Sequence, residues 1–136
     1  MATLSACRPI TPPAPTDTIQ GILWQWSSDA DRTESTTQAV PNPEVYTLIL
    51  DANGTLVGQA ECNSIAGTYS QENGFSISLG ASTMAFCGEA SLDQRYLQLL
   101  GQVAEGGPDG TGGLALETAG GAERMMFQNG GQAQTP

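Results

Sequence analysis

Two short turns that contain Asn-Gly, each between β-prone runs, constrain the fold of this chain most. Residues 45–50 (VYTLIL) form a strongly β-prone run, and the run 56–61 begins two residues after Asn53-Gly54 ends. Asn-Gly readily adopts the positive φ angles of a tight hairpin turn. A second hairpin is predicted between residues 66–70 and 75–79, across Glu72-Asn73-Gly74. The chain is therefore expected to build an antiparallel sheet.

Three further runs add strands to this sheet. Residues 22–27 alternate in polarity and place Trp24 and Trp26 on one face, while residues 114–117 and 123–127 form two short strands near the end. The segment 28–42 is polar and is predicted to be a loop. Six or seven strands are expected.

One helix is predicted, from residue 92 to about residue 103. Leu92, Tyr96, Leu99 and Leu100 recur at helical spacing, and the pattern is extended to Val103. Ser91 is expected to be the N-cap residue, with Gln94 reaching back to it. The glycine-rich residues 105–113 are expected to end the helix. The fold class is α+β, with the helix packed on one face of the sheet.

The composition excludes several classes of protein. There are four Arg residues, no Lys and no His, and the net charge is −10. A nucleic-acid-binding surface would need clustered positive charge, so no nucleic-acid partner is expected. No imidazole is present to act as a general base or as a metal ligand, and no Lys completes a P-loop. We expect no catalytic residues, no metal site and no cofactor.

The first residues resemble a processing signal. Leu4-Ser5-Ala6-Cys7 resembles a bacterial lipobox, in which the cysteine receives a lipid, and residues 8–16 (RPITPPAPT) resemble an extended linker. The basic and apolar regions of a lipoprotein signal do not precede it here, so most of that signal is expected to be missing. The alternative is that Cys7 is an ordinary residue in a tail. Residues 1–16 are assigned to the lipobox remnant and linker, 17–129 to the body, and 130–136 to a flexible tail.

Two segments carry a family signature. They are residues 58–69 (GQAECNSIAGTY) and residues 82–87 (STMAFC), which precede the predicted helix. Together they resemble the META domain family, which includes the heat-shock lipoprotein HslJ. The resemblance implies an antiparallel sheet curled around its helix like a half-barrel, in envelope proteins that often carry a lipobox. It implies no catalytic residues and no assigned biochemical function. The residues treated as structural parts of the signature are Gly58, Asn63, Gly67, Tyr69, Thr83 and Met84.

Cys62 and Cys87 are the two cysteines of the signature. If Cys7 carries a lipid, these two remain in an oxidising compartment and are expected to form a disulfide. The alternative is two buried free thiols that behave as small apolar residues. A metal site or a redox pair is disfavoured, because the chain has no His, no C-x-x-C and no basic neighbour to either cysteine.

The remaining signature residues are given structural roles. Asn63 is expected to hold a turn after a strand, and Gly67 to permit a bend or bulge where the chain turns back. Met84 and Phe86 are expected to fill the core. Tyr46 and Tyr69 are expected to bury their rings and keep their hydroxyls at the rim.

Trp24, Trp26 and Tyr46 form a candidate ligand or partner surface. The alternative, which is favoured for at least one of the two tryptophans, is a place in the core.

The expected function is that of a non-enzymatic domain of an exported, membrane-anchored envelope lipoprotein. Its role would be the binding of an unidentified protein or peptide partner, or the support of an assembly, as a monomer held to the membrane only through Cys7. An open sheet edge could accept a strand from such a partner. The alternative is a carrier of a small apolar ligand in a split-barrel cavity, which would need a continuous apolar cavity. An enzyme would need a polar pocket with perturbed acids, and the chain offers no His or Lys to activate a Ser or Thr.

Overall fold

A computed structural model describes residues 18–133 of the chain. The predictions for Cys7 and for the linker 8–16 lie outside these residues, as does the end of the chain from residue 134.

Nine strands form one antiparallel sheet in the described residues, in the order β6-β5-β4-β3-β1-β9-β8-β7, and β2 pairs with β1. The strands are β1 (Ile22–Asp31), β2 (Thr36–Ala39), β3 (Tyr46–Leu50), β4 (Thr55–Ala60), β5 (Asn63–Ser70), β6 (Ser76–Ser82), β7 (Val103–Pro108), β8 (Leu114–Thr118) and β9 (Glu123–Gln132). One helix, α1 (Asp93–Gly101), joins β6 to β7, and two short 3-10 turns lie at Pro43–Val45 and Ala119–Gly121.

The curled antiparallel sheet with one helix is confirmed, but six or seven strands was too few. The strand β2 lies in the predicted loop 28–42, and its sequence gives no strand signal because all four residues are polar or small and exposed. It pairs with the end of β1, with Ser28 opposite Ala39, and there it covers no core. The strand β7 includes residues that the sequence assigns to the end of the helix, since its Gly-Gly-Pro sequence is unfavourable in strands.

The two edge strands of the sheet approach each other, so the sheet is nearly closed into a barrel. The N–H of Phe75, directly before β6, donates to the carbonyl of Ala104 in β7 over 2.9 Å. The strand β9 continues to Gln132 and so includes the first residues of the segment 130–136.

Aromatic rings fill the space between the sheet and the helix. Trp26 stacks on Tyr96 with ring centroids 5.2 Å apart, and Tyr46 packs edge-on against Trp26 at 5.8 Å. Phe127 closes the group beside Tyr96. The Tyr96 hydroxyl donates to the carbonyl of Thr47 over 2.7 Å, which satisfies the one polar atom of that ring. Burial raises the pKa of Tyr96, so this hydroxyl keeps its proton.

The helix is shorter than predicted and is capped differently. It begins at Asp93 and ends at Gly101, while Val103 is the first residue of β7. The Ser91 hydroxyl accepts a bond from the Asp93 N–H over 3.1 Å. The Ser91 N–H donates to the carbonyl of Gly88, so the expected return bond from Gln94 is replaced by a backbone bond.

Arg95 joins the helix to two strands. Its guanidinium lies 3.1 Å from the Asp29 carboxylate in β1 and also contacts Glu123 in β9. Burial is the main cause of a raised pKa for Asp29, and the bond from Arg95 opposes it. The pairing with two strands fixes the orientation of the helix on the sheet.

Gly67 lies beside a bulge, as expected, but not where the chain turns back. The register of β5 against β6 shifts between Ile65 and Gly67, within the strand. A side chain at Gly67 would collide with the backbone carbonyl of Ser78 on β6. Gly58 is similarly constrained by the carbonyl of Thr47. These two signature glycines therefore permit close approach of neighbouring strands.

We predict that Gly67→Ala lowers the free energy of unfolding by about 1–3 kcal/mol, because the new methyl group must push β6 away. Gly80→Ala is the matched control, since a methyl group there would lie at an ordinary 3.6 Å from the carbonyl of Ala66. Urea unfolding of both variants tests this. Equal stability of the two would show that close strand approach is not the reason for glycine at position 67.

Candidate functional site

Most of the signature residues either lie in the segment 83–91, between β6 and α1, or contact it. It contains no helix or strand. Cys87 in this segment forms a disulfide with Cys62, which lies in the turn between β4 and β5, and the two Cα atoms are 5.6 Å apart. The predicted pairing is thus present. It ties the segment to the start of β5.

The side chain of Asn63 holds the same segment by hydrogen bonds. Its Oδ1 accepts bonds from the Ala85 N–H over 2.7 Å and from the Thr83 hydroxyl over 2.9 Å. Its Nδ2 donates to the Ala85 carbonyl over 3.0 Å and to Asp93 Oδ2 over 3.1 Å. The amide therefore pairs with the Ala85 backbone as a neighbouring strand would, and it also reaches the first residue of α1.

The prediction that Asn63 holds a turn is wrong. Asn63 is the first residue of β5 and is 1% exposed. The turn before it places Glu61, not Asn63, at a positive φ of 57°. The sequence could not distinguish the two cases, since Asn is favoured both in turns and where a buried amide can satisfy backbone groups.

Thr83 extends the pairing of β5. Its backbone N–H donates to the Ser64 carbonyl over 3.1 Å, and its hydroxyl accepts from the Ser64 N–H over 3.0 Å. Together the disulfide, Asn63 and Thr83 form what we call the brace: Cys62, Asn63, Thr83 and Cys87. The brace explains why these residue types occur together.

Met84 and Phe86 do not fill the core, contrary to expectation. Met84 is 84% exposed and Phe86 is 79% exposed. The reason is the alternation of an extended chain, in which successive side chains point in opposite directions. Asn63 binds Thr83 and Ala85, and Cys62 binds Cys87, so the two large apolar side chains between these residues face outward. The alternation is visible in the sequence. The outward direction of Met84 and Phe86, however, follows only once residues 83 and 87 are known to be anchored.

A cleft of about 200 Å³ lies beside Phe86, and its lining was not predicted. Asp93 lies in its wall and is 8% exposed. The cleft is lined by Phe86, Gly88, Glu89, Ser91, Asp93 and Gln94.

The candidate surface of Trp24, Trp26 and Tyr46 is not formed, because all three side chains lie in the core, the alternative favoured for at least one tryptophan. Trp24 donates its Nε1–H to the Ile19 carbonyl over 2.9 Å. The Tyr46 hydroxyl donates to Glu61 over 2.8 Å and accepts from the Leu92 N–H over 2.8 Å. Burial raises the pKa of Tyr46, so the hydroxyl serves as a fixed link between β3 and the start of the helix.

Tyr69 is placed as expected, with a partly buried ring and its hydroxyl at the edge of the barrel. The ring stacks on Phe75 with centroids 5.8 Å apart. The hydroxyl donates to the Asp51 carbonyl over 2.6 Å. This end of the barrel lies away from the brace, and Tyr69 is therefore a separate part of the signature.

Residues 18–133 bring no group of three or more His, Cys, Asp or Glu side chains together as a candidate metal site. In the same part of the chain, no helix has the length and apolar character needed to cross a membrane.

The fold and the brace define a class: small barrel-like antiparallel domains with one helix, whose motif residues hold an exposed segment. The chain belongs to the META domain family, whose profile matches residues 19–131. No curated protein matches the chain.

Two solved structures share the fold. One is the NMR structure of a protein from Burkholderia xenovorans, which is 21% identical, with a TM-score of 0.65 over 95% of this chain and 98% of that chain. The other is the crystal structure of a DUF4847 family protein from Bacteroides vulgatus, which is 14% identical, with a TM-score of 0.57 over 82% of this chain and 94% of that chain.

We predict that Asn63→Asp lowers the free energy of unfolding by roughly 2–4 kcal/mol at neutral pH, because a carboxylate cannot donate to Ala85 and would face Asp93. Asn42→Asp is the control, since Asn42 is only half-buried and caps no turn with its side chain. Denaturant unfolding should show a change of about 0.5 kcal/mol or less for the control. Equal effects of both variants would contradict the role given to the Asn63 amide.

We also predict that a reducing agent lowers the melting temperature by on the order of 10 °C. Opening the loop that the disulfide between Cys62 and Cys87 closes removes about 3 kcal/mol of stability. The double variant Cys62→Ser, Cys87→Ser should melt at the lower temperature with or without reductant. Calorimetry on both proteins tests this. An unchanged melting temperature of the native chain after complete reduction would show that the disulfide does not stabilise the fold.

Proposed function

We propose that this chain is a non-catalytic domain that binds a protein or peptide partner in a bacterial envelope, where a lipid on Cys7 tethers it to the membrane. The observation that carries the proposal is the exposure of Met84 and Phe86 on a braced segment. Large exposed apolar side chains commonly mark interaction sites. A segment held in one conformation before binding loses less entropy on association, which favours affinity.

The signature residues support a role in binding more than one in catalysis. Asn63, Thr83 and the two cysteines are occupied with holding the backbone of the segment. Asp29, a carboxyl group with a raised pKa, is paired with Arg95 of the helix. The side chains of Asn63, Thr83 and Asp29 are thus engaged in structural contacts.

The alternative function, an apolar ligand carrier, has less support. A carrier would hold its ligand inside the curled sheet, where small-molecule cavities usually measure about 300–1,000 Å³. In this barrel that space is occupied by the closely packed rings of Trp26, Tyr46 and Tyr96. A ligand could enter only if these rings moved. The exposed segment therefore favours partner binding.

The partner-binding proposal is tested by site-specific photocrosslinking in the native cells. A benzophenone amino acid in place of Phe86 is expected to crosslink to one defined protein. The same amino acid in place of Val57, which is 50% exposed on β4, is the control and is expected to give none. Met84→Ser should reduce the crosslink from position 86. If positions 86 and 57 give the same products, the segment is not the binding site.

The tether is tested by the intact mass of the protein from the same cells. We expect a chain that begins at Cys7 and carries acyl groups, whereas Cys7→Ser should retain the residues before position 7 and no lipid. A native chain that begins at Met1 with a free Cys7 thiol would overturn the lipoprotein part of the proposal.

A further inference from the structure

We infer that the cleft beside Phe86 takes a lysine or arginine side chain of the partner, while an adjacent apolar residue of the partner packs on Phe86 and Met84. This inference rests on the proposed function and names the chemistry of the bound segment. Its basis is the combination of a cleft with two carboxylates in its wall, the exposed Phe86 that also lines it, and the exposed Met84 two residues before Phe86.

The carboxylates favour a cation. Glu89 and Asp93 both line the cleft. Asp93 Oδ2 accepts a bond from Asn63, and Oδ1 makes no hydrogen bond to any described residue. Oδ1 is therefore free to accept a charge-assisted hydrogen bond from a cationic donor that enters the cleft.

The positive charges of the described residues are used elsewhere. Arg32 and Arg124 both pair with Glu117, and Arg95 pairs with Asp29 and Glu123. None of these arginines lines the cleft. The chain as a whole has a net charge of −10, which attracts cationic segments from a distance.

The size of the cleft limits the occupant to one side chain. At about 200 Å³ it is smaller than the roughly 300–1,000 Å³ of most small-molecule sites. The ring of Phe86 forms part of the wall, and the face of an aromatic ring attracts a lysine or arginine cation. Met84 is two residues away on the same outward face, where an apolar neighbour of that cation could pack.

The test is selection of peptides from a random heptapeptide phage library by the full chain. We expect enrichment of Lys or Arg next to an apolar residue. Peptides selected in this way should bind Glu89→Gln and Phe86→Ala about tenfold more weakly in fluorescence anisotropy, the loss that corresponds to about 1.4 kcal/mol. Affinity should also fall when NaCl is raised from about 0.05 to about 0.5 M.

Matched controls are available at the far end of the β5–β6 hairpin and on β4. Glu72→Gln removes an exposed carboxylate from the turn of that hairpin, and Val57→Ala removes an exposed apolar side chain. Both should bind the selected peptides as the native chain does. If Glu72→Gln weakens binding as much as Glu89→Gln, general charge attraction explains the result and the inference is wrong.

Other outcomes separate this inference from the proposed function. Neutral apolar peptides that depend on Phe86 would overturn the cationic assignment and leave partner binding intact. Recovery of no peptide would overturn the inference, while photocrosslinking at position 86 still decides the proposed function. Tighter peptide binding by Arg8→Gln would show that the N-terminal segment of this chain competes for the cleft, and would overturn the assignment to a partner.

Discussion

The side-chain amide of Asn63 is the contact on which the exposed part of this structure depends. It is a buried primary amide, and burying one without partners would cost several kcal/mol. Both of its polar atoms are satisfied, by the backbone of Ala85, by Thr83 and by Asp93. One side chain therefore connects the start of β5, the segment 83–91 and the first residue of the helix. Because a backbone N–H can only donate, the atom of the Asn63 amide that faces the Ala85 N–H must be the oxygen.

The disulfide and the amide stabilise the same segment by different means. The disulfide between Cys62 and Cys87 limits the separation of the two parts of the chain that it joins, and it reduces the entropy of the unfolded state. The disulfide does not by itself set the orientation of the residues between β6 and Cys87. Asn63 does, because hydrogen bonds to both the N–H and the carbonyl of Ala85 fix the direction of that peptide. Together they explain why a segment without helix or strand displays its side chains in one arrangement.

The sequence predicted the fold better than the site. Hairpins show in short-range patterns, and the turn at Asn53-Gly54 joins β3 to β4 as expected. The strand β2 was missed because strand recognition relies on a buried face, and its residues have none. The cysteine pair was predicted from the count of cysteines, on the expectation that the chain is exported and that Cys7 carries a lipid. Met84 and Phe86 were misplaced because composition assigns large apolar residues to the core, whereas their direction depends on anchors 20 or more residues away in sequence.

The interior and the exposed segment use aromatic and apolar side chains for opposite purposes. Trp26, Tyr46 and Tyr96 fill the barrel, which leaves the interior to packing. Met84 and Phe86 contribute nothing to that core, and their exposure would be a cost without a use, since exposed apolar surface invites association. Under the proposed function, the buried amide and the disulfide hold these two side chains outward for contact with a partner. In the inference drawn for the cleft, the carboxylates beside Phe86 would restrict which partners bind, because specificity also requires the exclusion of wrong partners.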